Sequence, residues 1–271
     1  MTAETHMPGL SSVWPSGHPL IGMVHLLPLP GSPRWGGSMH RVLDRAEADA
    51  NALAKAGFDG VIVENFGDVP FFPDVVPPET IAALPSAVSR VASCSSAPVG
   101  VNVLRNDARA ALGIAVATEA RFIRVNVHTG SMWTDQGLIE GRAHETMRAR
   151  RELGMDVAVL ADVFVKHATP PTDATLEDAA NDTFHRGLAD ALIVSGRGTG
   201  LETELKDVQT VRATAPDVPL LIGSGMNVEN GPGLLALADG AIVGSAVMNE
   251  GRPGSGIDPV RAAAFISAVR G

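Results

Sequence analysis

Eight short apolar, β-branched runs recur along the 271 residues, each entered after a turn and followed by a longer segment of helical period. They lie at 19–26 (PLIGMVHL), 60–65 (GVIVEN), 98–104 (PVGVNVL), 122–127 (FIRVNV), 156–163 (DVAVLADV), 191–196 (ALIVSG), 219–225 (PLLIGSG) and 240–247 (GAIVGSAV). An unbroken apolar run suits a parallel strand whose sheet is covered by helices on both faces. Between the runs, VLDRAEADANALAKAG at 42–57 and TMRARRELG at 146–154 show helical spacing and end on Gly57 and Gly154, as a helix closing in the left-handed region would. Strict alternation leaves two architectures, a doubly wound open sheet and a closed barrel. Eight units spaced by roughly 30 residues, with no Gly-x-Gly-x-x-Gly turn after the first run, favour the barrel. The expectation is an α/β, single-domain (β/α)8 TIM barrel over 19–271, preceded by an N-terminal extension at 1–18.

Connection lengths are uneven. NFGDVPFFPDVVPPE (65–79), HTGSMWTDQG (128–137) and FVKHATPPTDAT (164–175) all follow strands, whereas the connections into strands are short. One rim is therefore elaborated, the rim on which barrel enzymes build their sites.

Polar residues interrupt the apolar runs where the strands end. Read inward at alternate positions, these are His25, Glu64, Asn102, Asn126, His128 and Asp162, with Lys166 just beyond the fifth run. So many polar groups on apolar strands must share a hydrogen-bonded pocket or stand unsatisfied. They form the candidate catalytic set. Each has a plainer alternative: Glu64 and Asp162 as structural carboxylates paired with Arg124, His25 as a core histidine, Asn102 and Asn126 as strand bridges, Lys166 as a solvated loop lysine. Trp133 is a lid candidate or a packing residue. A divalent ion among Glu64, Asp162 and His25 is a further variant, without a compact ligand motif to support it; no cofactor is predicted.

The runs at 219–225 and 240–247 end in GSGMN and GSAV, and the run at 191–196 in Ser195-Gly196. Glycines permit close approach of a ligand to backbone amides, and a helix N-terminus favours an anion. Ser195, Gly196, Gly223, Ser224, Gly225, Gly244 and Ser245 are thus the candidate phosphate-binding set; the alternative is merely tight turns.

Composition excludes other classes. Lys and Arg number 21 against 30 Asp and Glu, a net charge of -9, and the densest basic cluster is RARR at 148–151. A phosphate-backbone partner needs a basic surface, so no nucleic-acid partner is expected. Hydrophobic residues make up 45% and mean hydropathy is +0.15, enough for a sizeable core, while no run approaches the roughly 18 apolar residues of a membrane span. With no secretory leader pattern, the expected location is the cytoplasm, with no membrane insertion. The lone Cys94 has no disulfide partner in the chain. The Ala-rich segment ARAALGIAVATEA (108–120) suggests a face covered by another subunit, hence a homo-oligomer.

The stretches GMVHLLPLPGSP, AGFDGVIVENFGDVPF, GVNVLRND, FIRVNVHTGSMWTDQGLIEG, VLADVFVKHA, LIVSGRGTG and GSGMNVEN resemble the BtpA family, which includes SgcQ-type proteins, from about residue 19 to the C-terminus. The resemblance implies a TIM barrel and two functional traditions: biogenesis or stability of photosystem I in cyanobacteria, and nucleosidase or sugar-phosphate chemistry in metabolic operons. It carries no catalytic residue set. The preferred expectation is an enzyme that cleaves a glycosyl bond of, or isomerises, a small phosphorylated sugar or nucleoside-like substrate. The alternative is a non-catalytic assembly factor that uses the barrel as a scaffold. A Schiff base at Lys166 is disfavoured at this stage, because the lysine is placed beyond its strand rather than in an apolar pocket.

Overall fold

The computed structural model describes residues 9–196, 198 and 203–271; residues 1–8 of the expected extension, 197, 199 and 200 of the LIVSGRGTG stretch, and 201–202 lie outside them. The expected strands form a closed, all-parallel barrel: β1 (Leu20–His25), β2 (Gly60–Glu64), β3 (Val99–Asn102), β4 (Phe122–Val125), β7 (Ala158–Val163), β9 (Ala191–Val194), β10 (Leu220–Ile222) and β11 (Gly240–Val243), with β11 closing onto β1. Every residue of these strands is buried, as expected for a barrel filled with side chains and sheathed in helices.

The long helices are α2 (Met39–Ala56), α3 (Pro78–Cys94), α4 (Ala108–Thr118), α5 (Ala143–Leu153), α7 (Leu205–Thr214) and α9 (Pro259–Arg270), with shorter α1 (Leu10–Val13), α6 (Leu176–Asn181) and α8 (Gly231–Leu235). Local chemistry sets their ends. Ser38 accepts the Arg41 amide at the start of α2, which closes on Gly57 at φ 94°; Asp107 and Asp258 cap α4 and α9 in the same way. Leu10, Val13 and Trp14 pack into the barrel's own core, with Trp14 against Phe122 at 5.0 Å between ring centroids. The apolar residues of α4 that suggested a second subunit, among them Ala111, Leu112 and Ile114, are buried within the chain. Apolar composition there is explained by packing on the barrel.

The bottom of the barrel uses carboxylates structurally. Asp59, Asp190 and Asp239 each sit one residue before a strand and accept an N–H at the start of a neighbouring strand, from Leu20, Val159 and Leu220. Each also meets an arginine: Arg270, Arg150 and Arg212. Position before a strand marks these acids as structural, just as position after one marks the acids at the opposite rim.

Two of the long loops fold together over that rim. The loop after β4 forms a hairpin, β5 (Ser131–Thr134) and β6 (Gly137–Glu140), and β8 (Ala168–Thr169) from the loop after β7 pairs with β5. Val127, Met132, Ile139 and Val165 form a small core of their own beneath this flap. Among the described residues, no helix is long and apolar enough to cross a membrane.

Candidate functional site

Register builds the site. Pairing sets His25 beside Glu64, Glu64 beside Asn102 and Asn102 beside Arg124, so four polar residues from four consecutive strands lie at one level near the C-terminal ends. Parallel partners point the same way, which turns four separate strand endings into one cluster.

One side of the cluster is an ion pair. Arg124 donates from Nε and Nη2 to the two oxygens of Asp162, both at 2.8 Å. Asp162 also accepts from Ser195 Oγ at 3.1 Å and from Asn126 Nδ2 at 3.5 Å, while Asn102 donates to Asn126 Oδ1 at 3.0 Å. Bidentate pairing with two further donors occupies the carboxylate fully. Asp162 therefore positions its neighbours and has no oxygen in reserve for proton transfer. The same pair removes it from any metal set, and among the described residues no group of three His, Cys, Asp or Glu side chains could hold a metal ion.

The other side is His25 and Glu64. The Gly254 N–H donates to His25 Nδ1 at 3.1 Å, which assigns the ring proton to Nε2, 3.5 Å from Glu64 Oε1. His25 also stacks on Phe66, with centroids 4.1 Å apart. Burial, then the charges of Lys166, Arg124 and Arg45, pushes its pKa down to about 3. Burial raises that of Glu64, against the pull of Lys166 and Arg124. The imidazole is thus neutral and the carboxyl leans toward its protonated form.

The unfolded His25 imidazole takes up a proton near 6.5 and the folded one only near 3, so unfolding binds a proton between these values and stability falls as pH is lowered through that window. The slope from this group is at most about 1.4 kcal/mol per pH unit. Urea titrations at pH 7, 6 and 5 should show a shallower loss for His25→Phe than for the wild type; parallel curves would refute the assignment.

Above the cluster opens a cavity of about 350 Å³, lined by Glu64, Arg105, Asn126, Asp135, Lys166 and His167, with Phe66, Val69, Phe71 and Leu104 as its apolar wall. Lys166, a catalytic candidate whose plainer alternative is a solvated loop lysine, faces into it: burial and the Arg124 charge bring its pKa down to about 8. The ground on which a Schiff base was disfavoured therefore does not hold. Loop position did not imply full exposure: Lys166 is half-buried, on a loop whose β8 pairs with the flap. Arg105, which the sequence reading left out, is buried and donates from Nη2 to the Lys166 carbonyl at 2.6 Å; its place just past the end of β3 was the available signal. His128 lies outside this lining. Its Nε2 bonds the Gly187 carbonyl at 2.8 Å, since strand alternation stops at Val125.

The candidate phosphate turns divide. Ser195 is committed to Asp162, and the Gly223 amide to the Val194 carbonyl at 2.7 Å. A side chain at Gly223 would collide with Ser195 and Ile193, so packing explains this glycine. No long helix starts after β10 either. Asn227 and Asn230 close a turn on each other's backbone before the five-residue α8, which removes the helix-dipole contribution expected there. Ser224 remains notable: it is buried, and its Oγ has no hydrogen-bond partner among the described residues. Gly196, Gly225, Gly244 and Ser245 lie at the same rim, with Gly244 opening a short 3-10 turn, Ser245–Val247.

The BtpA family is matched over residues 16–271. The chain belongs to this family. It is 52% identical over 252 residues to the photosystem I biogenesis protein BtpA of Synechocystis sp., covering 93% of this chain and 88% of that one. It is 32% identical to the putative sgc region protein SgcQ of Escherichia coli, with 92% and 93% covered. Among solved structures, phosphoribosyl anthranilate isomerase from Thermus thermophilus superposes with a TM-score of 0.57 at 12% identity, over 93% of this chain and 98% of that one. The structure described as native KDPGal gives 0.56 at 18%, over 93% and 92%. At these identities the structural likenesses establish the TIM-barrel fold of this BtpA-family chain and nothing finer.

Proposed function

We propose that this BtpA-family chain is an enzyme acting on a small phosphorylated sugar or nucleoside-like substrate at the C-terminal mouth of the barrel. The observation that carries this reading is the cavity in which Glu64 and Lys166 sit together, each shifted by burial toward its neutral form. Perturbed acid and base groups sharing a cleft suit proton transfer near neutral pH. Arg105 and Lys166 give the cavity positive charge for an anionic substrate, and the unpartnered Ser224 hydroxyl supplies a donor at the same rim. Glycosyl-bond cleavage and isomerisation both fit this set. Within it, Glu64 handles the proton, Asn126 orients the substrate, and Arg124 with Asp162 holds the floor rigid.

Thermal-shift screening of phosphorylated sugars, nucleosides and nucleoside monophosphates tests the reading, with inorganic phosphate as control and Ser224→Asp in parallel. A ligand at about 100 times its Kd adds roughly 2.7 kcal/mol, or on the order of 5–10 °C at this chain length. The expected result is a shift with phosphate esters that the variant loses. No shift with any compound would sink the reading.

The second reading is an assembly scaffold, and the relative named for photosystem I biogenesis favours it. Phe72, Val75 and Trp133 stand exposed on the loops around the mouth, where a partner would meet them. Under this reading, substitutions at Glu64 and Lys166 leave biological activity intact while charges placed at Phe72 and Trp133 abolish it.

A further inference from the structure

We propose that Lys166 is an imine-forming nucleophile, so that the substrate of this site carries an aldehyde or ketone carbonyl. This inference rests on the enzyme reading above and names its substrate class. Lys166 lines the cavity together with the apolar side chains of Phe66, Phe71 and Leu104. Among the described residues its ammonium makes no hydrogen bond and no ion pair, although other cations at the barrel mouth, such as Arg105 and Arg124, are engaged. A half-buried amine that lines such a cavity and is left unpartnered is placed for a ligand.

The backbone that presents it is held on every side. Phe164 and His167 both adopt φ 56°, a left-handed conformation that non-glycine residues visit at a cost. Between them Val165 is anchored in the small core under the flap, and Arg105 holds the Lys166 carbonyl at 2.6 Å. Directly after His167, β8 pairs with β5 of the flap. These constraints aim one side chain, which is the kind of preorganisation that covalent catalysis needs.

The chemistry balances without a co-reactant. Solvent carries a proton from the Lys166 ammonium to the Glu64 carboxylate, and the neutral amine attacks the carbonyl carbon. A C–N bond forms while the C=O π pair moves to oxygen, which takes up the proton that the newly bonded nitrogen releases, giving a neutral carbinolamine. Glu64 then returns its proton to that hydroxyl as the C–O bond breaks, and the nitrogen lone pair closes the iminium. One ammonium and one carbonyl become one iminium and one water. The lowered pKa of Lys166 and the raised one of Glu64 both favour this exchange.

The chain has three lysines, and the other two, Lys55 and Lys206, are exposed on α2 and α7, so the test reads cleanly. The full-length protein is incubated near neutral pH with dihydroxyacetone phosphate, glyceraldehyde 3-phosphate or ribose 5-phosphate, reduced with sodium borohydride, and mapped by peptide mass spectrometry. At least one probe should leave an adduct on Lys166, exceeding labelling of Lys55 and Lys206 by about tenfold or more, as a larger neutral-amine fraction requires. Lys166→Arg should lose the adduct, and mapping of the wild type stands by itself if the variant fails to fold. No adduct on Lys166 with any probe, or equal labelling of the three lysines, overturns the proposal. Thermal shifts with the same probes and with glycerol 3-phosphate separate the two failures. Stabilisation without trapping leaves the enzyme reading standing and removes the imine; neither stabilisation nor trapping removes both.

Discussion

Replacing Arg124 by methionine is expected to destabilise the protein by about 3–5 kcal/mol, because it leaves Asp162 as a buried carboxylate without its counter-charge. The pair is nearly inaccessible, at 2% and 0% side-chain exposure, and bidentate at 2.8 Å, so solvent offers little compensation for the lost partner. At this chain length the cost corresponds to a fall in Tm of roughly 6–20 °C. Calorimetry of Arg124→Met, Asp162→Asn and the double variant measures it. The double variant should recover a large part of the loss, since two neutral groups leave no buried charge. A single-variant cost below about 1 kcal/mol would mean that water reaches the pair, and Asp162 would then return as a candidate for proton transfer.

Glu64→Gln should reduce turnover of whichever compound stabilises the protein by about 100- to 10,000-fold, the usual worth of a positioned acid or base. The substitution keeps size and hydrogen-bonding capacity at the contact with His25 but removes the exchangeable proton. The ligand-induced thermal shift should survive. Loss of turnover with retained binding separates Glu64 from Ser224, whose variant should lose binding itself. Unchanged turnover would place proton transfer on another residue of the cavity. Because burial raises the Glu64 pKa, the acidic limb of the wild-type pH–rate profile should sit above the ordinary carboxylate range, and Glu64→Gln should erase that limb.

Legibility from sequence followed the range over which each feature is encoded. A parallel strand covered on both faces needs an unbroken apolar run, and that requirement is local. All eight runs were therefore visible, and so were the polar residues at their ends, because a polar side chain within such a run stands out. Caps at Ser38 and Gly57 are equally local. The flap was not visible: β5 and β6 are only four residues each, and β8 contributes two residues whose pairing partner lies in another loop. At Ser195 and Gly223, two of the candidate phosphate residues, the hydrogen bond to Asp162 and close packing give a second reason for the residue type that composition could not show.

The order of strands and helices, their closure into a barrel and the concentration of His25, Glu64, Asn102, Asn126 and Asp162 at one rim were determined by sequence alone, through hydrophobic period and strand polarity. Tertiary structure alone decided which of these residues is spent and which is free. Arg124 meets Asp162 across 38 positions and Arg105 meets the Lys166 backbone across 61. Such pairings arise from barrel register and from a flap lowered over a loop. No local pattern records them, because burial of a charge, and with it the shift of its pKa, depends on what the rest of the chain brings over it.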